Sequence, residues 1–271
     1  MIYKSYVYKL YTYMTTLRTY NDDTPQYELY KKMHINQTLD FVKDKYKKYS
    51  KLDNTRISIK TALELMDKFV DPSDPDLSEP NSIHAYQTAE VIRKDNPENK
   101  ELQIVGLIHD LGKVIFSFGE PNWSVVGDTY VVGCEFPKAI VYYDTLRENK
   151  DNEFNKYDSL GIYPYKCGLE NLYITFGHDM YLYEVLRQNT NHKISKASMN
   201  IIRYHSFYSW HTGGYYKQFM TEEDDKTLKD VLHFNQYDLY SKADTDFKLT
   251  DEIKQYYDDL LDEFFNGELQ W

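Results

Sequence analysis

The sequence predicts an all-α fold, a single helical bundle with one short irregular or hairpin segment, and three observations carry that prediction. Apolar residues recur at spacings of three and four through most of the chain, cap-forming residues stand before two of these runs, and glycines interleave with Val and Tyr in GEPNWSVVGDTYVVGC. Residues 37–49 place Leu39, Val42, Tyr46 and Tyr49 on one helical face. Residues 61–70 open with Thr61-x-x-Glu64, a capping-box pattern, before Leu65, Met66 and Phe69. DPSDPDLSEP, residues 71–80, has three prolines and no apolar period and reads as a loop, after which Asn81 or Ser82 caps a helix running through Arg93. Further helices are expected over 100–116, 168–188, 195–208, 221–241 and 251–265, with the irregular or hairpin segment at 119–134. No internal repeat or low-complexity linker interrupts them.

Composition narrows the class. The 271 residues carry a formal charge of −11 with 41% hydrophobic positions, as in a water-soluble globular chain of one large domain or two small ones. No stretch reaches the ~18 apolar residues of a membrane helix, and the opening MIYKSYVYKLYTYM is broken by Lys4 and Lys9, so no membrane association and a cytoplasmic location are expected. Cys134 and Cys167 are too few for a disulfide framework and are read as reduced thiols. The acidic balance argues against a nucleic-acid partner. It is uneven, +6 over residues 1–60 and −10 over 219–271, and Lys43, Lys45, Lys47, Lys48 and Lys51 are read as the solvated face of a helix. The 28 tyrosines, against 13 Phe and 3 Trp, suggest amphipathic core margins whose hydroxyls need partners.

The chemistry lies in the histidines and their neighbours. His109 and Asp110 are embedded in ELQIVGLIHDLGKVIF, apolar nearly all round, where an unpaired carboxylate costs several kcal/mol. His84 lines up with Thr88 and Val91, His205 follows Ile201 by four, His178 opens an amphipathic stretch, and Asp238 follows Val231 by seven. Any one of these alone reads as a satisfied core residue. Several imidazoles and two carboxylates on separate core-facing helices are instead the mixture that a divalent metal pair requires. His34, His192, His211 and His233 stay outside this set as core or surface histidines, with support of a ligand left open as the alternative for His211, in WHTGG. Lys113, at i+4 from His109 and i+3 from Asp110, shares their side of the helix and is assigned to substrate, the alternative being a lysine that snorkels to solvent.

The ordered set His84, His109-Asp110 and Asp238 resembles the signature of HD-domain proteins, helical metal-dependent enzymes. The longer strings DPSDPD, PNSIHAYQTAE, GLIHDLGK, FGEPNWSVVGDT, GHDMYLYEV, IRYHSFYSWHTG and FNQYDLYSK resemble the myo-inositol oxygenase family over residues 18–271, while residues 1–17 match nothing. The resemblance implies a single HD-domain-like catalytic domain over 18–271 with two iron ions per chain, mixed-valent Fe(II)/Fe(III) in the active form. One iron is expected on His84, His109 and Asp110, and the other on Asp110, His178, His205 and Asp238, with Asp110 bridging. It further implies that Arg18, Asp71, Ser73, Lys113, Gly127, Asp128 and Ser206 contact substrate, with Lys113 also catalytic. Pro72 stands where the family pattern has an acidic residue. The implied reaction converts myo-inositol and O2 to D-glucuronate and water, by a monomer. Two rivals are an HD-domain phosphohydrolase, which needs phosphate-binding Arg or Lys around the cleft, and an inactive protein that binds inositol or a partner.

Overall fold

A computed structural model of the chain describes residues 24–69, 80–241 and 247–271, so Arg18, Asp71 and Ser73 lie outside the described residues. The first described element was not expected from the sequence. The Thr24 side chain accepts from the Tyr27 amide, and Pro25 starts α1 (Pro25–Asn36), which buries Leu29, Tyr30, Met33 and His34. After the Thr38 cap, α2 (Leu39–Tyr49) buries Leu39, Val42 and Tyr49, the face the spacing predicts. Lys43, Lys47 and Lys48 are exposed on its outer side.

Two expected caps are placed differently. Ser58, not Thr61, caps α3 (Ile59–Met66) by accepting from the Thr61 amide. The helix α4 (Asn81–Asp95) begins after Pro80 without a side-chain cap. Asn81 and Ser82 turn back onto the end of α3: Asn81 Nδ2 donates to the Phe69 carbonyl, and the Ser82 amide and hydroxyl each donate to Asp67 at 2.9 Å.

The predicted 100–116 helix is two structures. Capped by Asn99, α5 (Lys100–Ile108) stops at His109. A 3₁₀ turn over Leu111–Phe118 continues the chain and ends at Gly119 with φ +87°. Residues 119–177 then run through short 3₁₀ turns, with an isolated antiparallel bridge between Val131 and Ile174 in place of a hairpin. Helices return as α6 (His178–Gln188), α7 (Lys196–Tyr204), the short α8 (Tyr208–His211), α9 (Glu222–Ser241) and α10 (Asp251–Phe264). Two short strands, β1 (Arg56–Ile57) and β2 (Leu269–Gln270), pair antiparallel.

The main core joins α3, α4, α5, α6, α7, α9 and α10. Helices α4 and α5 pack closely along their length, and a Cβ on Gly106 would lie 3.1 Å from the Ala89 Cα. Against this pair pack α7 and α9, while α6 lies on α7 and on the 3₁₀ turn. Gly112 makes that last contact possible, because a Cβ there would lie 2.0 Å from the His178 carbonyl oxygen. The ends of α5 and α7, the start of α6 and the inner face of α9 therefore converge. Among the described residues, no helix is long and apolar enough to cross a membrane.

Candidate metal centre

Three histidines sit at helix ends, two of them at C-terminal ends, where backbone carbonyls are available to side chains. His109 closes α5 and its Nδ1 donates to the Gly106 carbonyl at 2.8 Å; His205 closes α7 and donates likewise to Ile202 at 2.7 Å. His178 opens α6, and both its amide and its Nδ1 donate to the Val125 carbonyl, at 2.9 and 2.8 Å. A carbonyl only accepts, so each Nδ1 carries the hydrogen and each Nε2 is aimed inward as a potential ligand.

These nitrogens converge on Asp110. Its Oδ1 lies 3.1 Å from His178 Nε2 and 3.5 Å from His205 Nε2. Its Oδ2 lies 3.6 Å from His109 Nε2 and accepts from Lys113 Nζ at 2.9 Å. Two groups of potential ligand atoms, each mutually within 4.8 Å, result: His84, His109 and Asp110, and Asp110, His178 and His205. Asp110 belongs to both and turns one oxygen toward each. His84 is half-buried and the other four residues are buried.

The donor set fits a divalent cation on its own chemistry. His109 Nε2 is buried with no hydrogen-bond partner among the described residues, and the Nε2 atoms of His178 and His205 face each other at 3.2 Å. Burial opposes charge on Asp110, yet Lys113, His109, His178 and His205 hold its carboxyl well below the ordinary carboxylate range. Burial likewise disfavours a charged His178, but the carboxylates of Asp179 and Asp110 overcome it and push the imidazole up to about 10. A divalent cation would satisfy the same carboxylates that call for protons on these rings.

Asp238 is placed differently from the grouping that the resemblance implied. Its Oδ1 lies 2.9 Å from His84 Nε2 and 3.6 Å from His109 Nε2, because α9 lies against α4 and presents this residue to His84. Lys113 is 5% exposed and bonded to Asp110, which removes the snorkelling alternative. The Ser206 amide and hydroxyl donate to Asp179 at 3.3 and 3.2 Å. Asp128 is held by Tyr30, which accepts from the Asp128 amide at 3.1 Å and donates to its Oδ1 at 2.9 Å. Thr129 N–H donates to the Ser206 carbonyl at 2.9 Å and joins these two segments. Gly127, next to Asp128, has φ +109°, and a Cβ there would lie 2.9 Å from Met33 Sδ.

Some residues around the centre were not singled out from the sequence. Asp179 is 1% exposed, with Oδ1 2.9 Å from His178 Nε2. Asn235 Nδ2 and His211 Nε2 both donate to the His205 carbonyl at 3.1 Å, which gives His211 the supporting place left open for it. For Asn235 the available signal was its spacing, one helical turn before Asp238. His34 bonds Thr145, His192 bonds the Leu186 carbonyl and His233 is exposed, all apart from the cluster.

Fold and site together define an α-helical protein with a buried histidine–carboxylate centre suited to a pair of metal ions. A model of the myo-inositol oxygenase family matches residues 24–271. Over 248 residues the chain is 46% identical to inositol oxygenase 1 of Arabidopsis thaliana, covering 90% of this chain and 79% of that protein. It is 42% identical to the inositol oxygenase of Danio rerio over 247 residues, 90% of this chain and 88% of the relative. The human inositol oxygenase is 42% identical over 244 residues, 89% and 85% of the two chains. The chain belongs to the myo-inositol oxygenase family.

Proposed function

We propose that this chain is an oxidoreductase that cleaves the ring of myo-inositol with O2, giving D-glucuronate and water. The observation that carries the reading is the opposed orientation of the two Asp110 oxygens, toward His178 and His205 on one side and toward His109 on the other. We assign one metal to His84, His109, Asp110 and Asp238, and the second to Asp110, His178 and His205. Iron in a mixed-valent pair, when bound, supplies a Lewis-acidic and redox-active centre for the four-electron oxidation of a polyol.

The chain's own groups do the rest. Lys113 holds its ammonium 2.9 Å from Asp110 Oδ2, at the edge of the centre, where it holds or returns the proton of a reacting hydroxyl. Asp128 and Ser206, fixed by Tyr30 and Asp179, read further hydroxyls of the ring. Asp71, Ser73 and Arg18, assigned from the resemblance, complete the polyol site in this proposal, with 18–271 acting as one catalytic unit. A polyol suits such a site, since a hydroxyl left unmatched among buried polar groups is costly.

The test is anaerobic loading with Fe(II), partial oxidation, then addition of O2 with myo-inositol or with nucleotides. The expected result is one O2 consumed per glucuronate formed and no phosphate released. Phosphate release without oxygen uptake would replace this reading with the hydrolase.

A further inference from the structure

We propose that Glu120 is a positioning residue for the second metal site: it clamps the 120–128 segment to α2 so that the Val125 carbonyl aims the His178 imidazole. Glu120 lies in the string FGEPNWSVVGDT and is 4% exposed, and its carboxylate bonds Lys45, Lys48, Tyr49 and Ser124, none of them a residue assigned to metal or substrate. Its carboxylate is fully engaged. Lys45 Nζ donates to both oxygens at 2.6 Å, and Lys48 Nζ and the Tyr49 hydroxyl donate to Oε1 at 3.1 and 2.6 Å. These three donors come from α2. Ser124 Oγ donates to Oε2 at 2.9 Å from within the segment itself, so one buried charge ties the turn to the helix.

The turn's own bonds carry that anchor to the centre. The amides of Ser124, Val125 and Val126 donate to the Pro121 and Asn122 carbonyls at 2.8–3.1 Å, which closes the turn immediately before the Val125 carbonyl. That carbonyl receives both hydrogen bonds of His178, to its amide and to Nδ1. No comparable side-chain clamp is needed by His109 or His205, whose Nδ1 partners lie three residues back in their own helices. The second site thus depends on a loop through His178, where His109 and His205 depend on their own helices, and Glu120 is what holds the loop. Supporting partners of metal-ligating histidines typically change metal affinity by roughly 10–100-fold.

The inference rests on the assignment of His178 to the second metal, and its test keeps the two separable. The variants are Glu120→Gln, Glu120→Gln/Lys45→Met, which also removes the more buried of its two partner cations, and the milder Ser124→Ala. Each full-length protein is titrated with Zn2+ against a chromophoric chelator, and amide hydrogen exchange is followed without metal. The expected result is a second Zn2+ bound about 10-fold more weakly with the first unchanged, and faster exchange confined to residues 121–129 and the His178 amide. The double variant is expected to recover Tm but not the second affinity. Equal weakening of both ions, or exchange faster throughout the chain, would show a merely structural role and overturn the proposal; so would wild-type behaviour in Glu120→Gln. If the wild-type chain binds fewer than two Zn2+, the metal assignment fails, and the exchange pattern alone decides whether Glu120 positions His178.

Discussion

Asp110 turns Oδ1 toward His178 and His205 and Oδ2 toward His109 and Lys113, so its loss unpairs groups on both sides of the centre. Asp110→Ala is expected to abolish retention of both metals, read by elemental analysis after gel filtration; two ions still bound would exclude a bridging carboxylate. Lys113→Ala is expected to keep both ions while turnover falls by roughly 100-fold or more, the scale of a lost proton-handling group. Glu120 supplies a pH test with a defined sign. Burial opposes its charge, but the bonds from Lys45, Tyr49, Ser124 and Lys48 hold its carboxyl at about 2. A carboxyl lowered on folding stabilises the fold above its unfolded pKa of roughly 4.3 and loses that contribution as pH falls toward the folded value. Urea unfolding should therefore show Glu120→Gln less stable than wild type at pH 7, with the gap narrowing on acidification from about pH 5. The candidate ligands themselves were legible because charge and imidazole in apolar helical surroundings stand out. Asp179 was not, since an acidic residue in a helix's first turn is common and nothing local marks it as buried. Nor could spacing along α9 say that Asp238 faces His84, because that depends on which helix lies opposite.

At the scale of elements, the break after Ile108 is what builds the site. Had α5 run on to Phe116 as its apolar pattern suggests, the i−3 carbonyl of Gly106 would stay in the helical ladder and not be free to orient His109. The pattern hid the break because apolar residues continue through the 3₁₀ turn on both sides of it. Gly112, in that turn, has no spare space: a Cβ would meet the His178 backbone oxygen at 2.0 Å. Gly112→Ala is expected to cost on the order of 1–3 kcal/mol in a urea melt and to weaken metal retention, because relief requires α6 to move with His178 on it. Unchanged stability would mean that the 3₁₀ turn and α6 are not packed in this way. The first helix, α1, escaped the sequence reading although Thr24 and Pro25 form a legible start, because its buried face is tyrosine- and histidine-rich and polar residues interrupt it.

Across the molecule, the C-terminal end closes what the first helices open. Trp271 is buried, its indole Nε1 donates to the Ile57 carbonyl at 3.1 Å, and β2 pairs with β1 beside it. Trp271→Ala is expected to lower stability by about 3–5 kcal/mol, the cost of emptying a large buried aromatic site; a near-neutral melt would show the terminus not to be part of the core. The tyrosine excess divides into two uses. Tyr46, Tyr49 and Tyr256 find partners at 2.6–2.9 Å, as amphipathic margins require, whereas the Tyr130 hydroxyl is buried with no hydrogen-bond partner among the described residues. The basic cluster was only partly a solvated face, because Lys45 and Lys48 serve a buried carboxylate. The all-α class followed from periodicity, and the irregular stretch 119–177 did not, since its short turns have no repeating spacing to read. For the central claim, that paired metals on a shared Asp110 oxidise inositol, the most direct measurement is anaerobic EPR of the iron-loaded, half-oxidised protein with and without myo-inositol. The account predicts a coupled mixed-valent signal that shifts when myo-inositol is added; isolated mononuclear iron signals, unchanged by inositol, would contradict it.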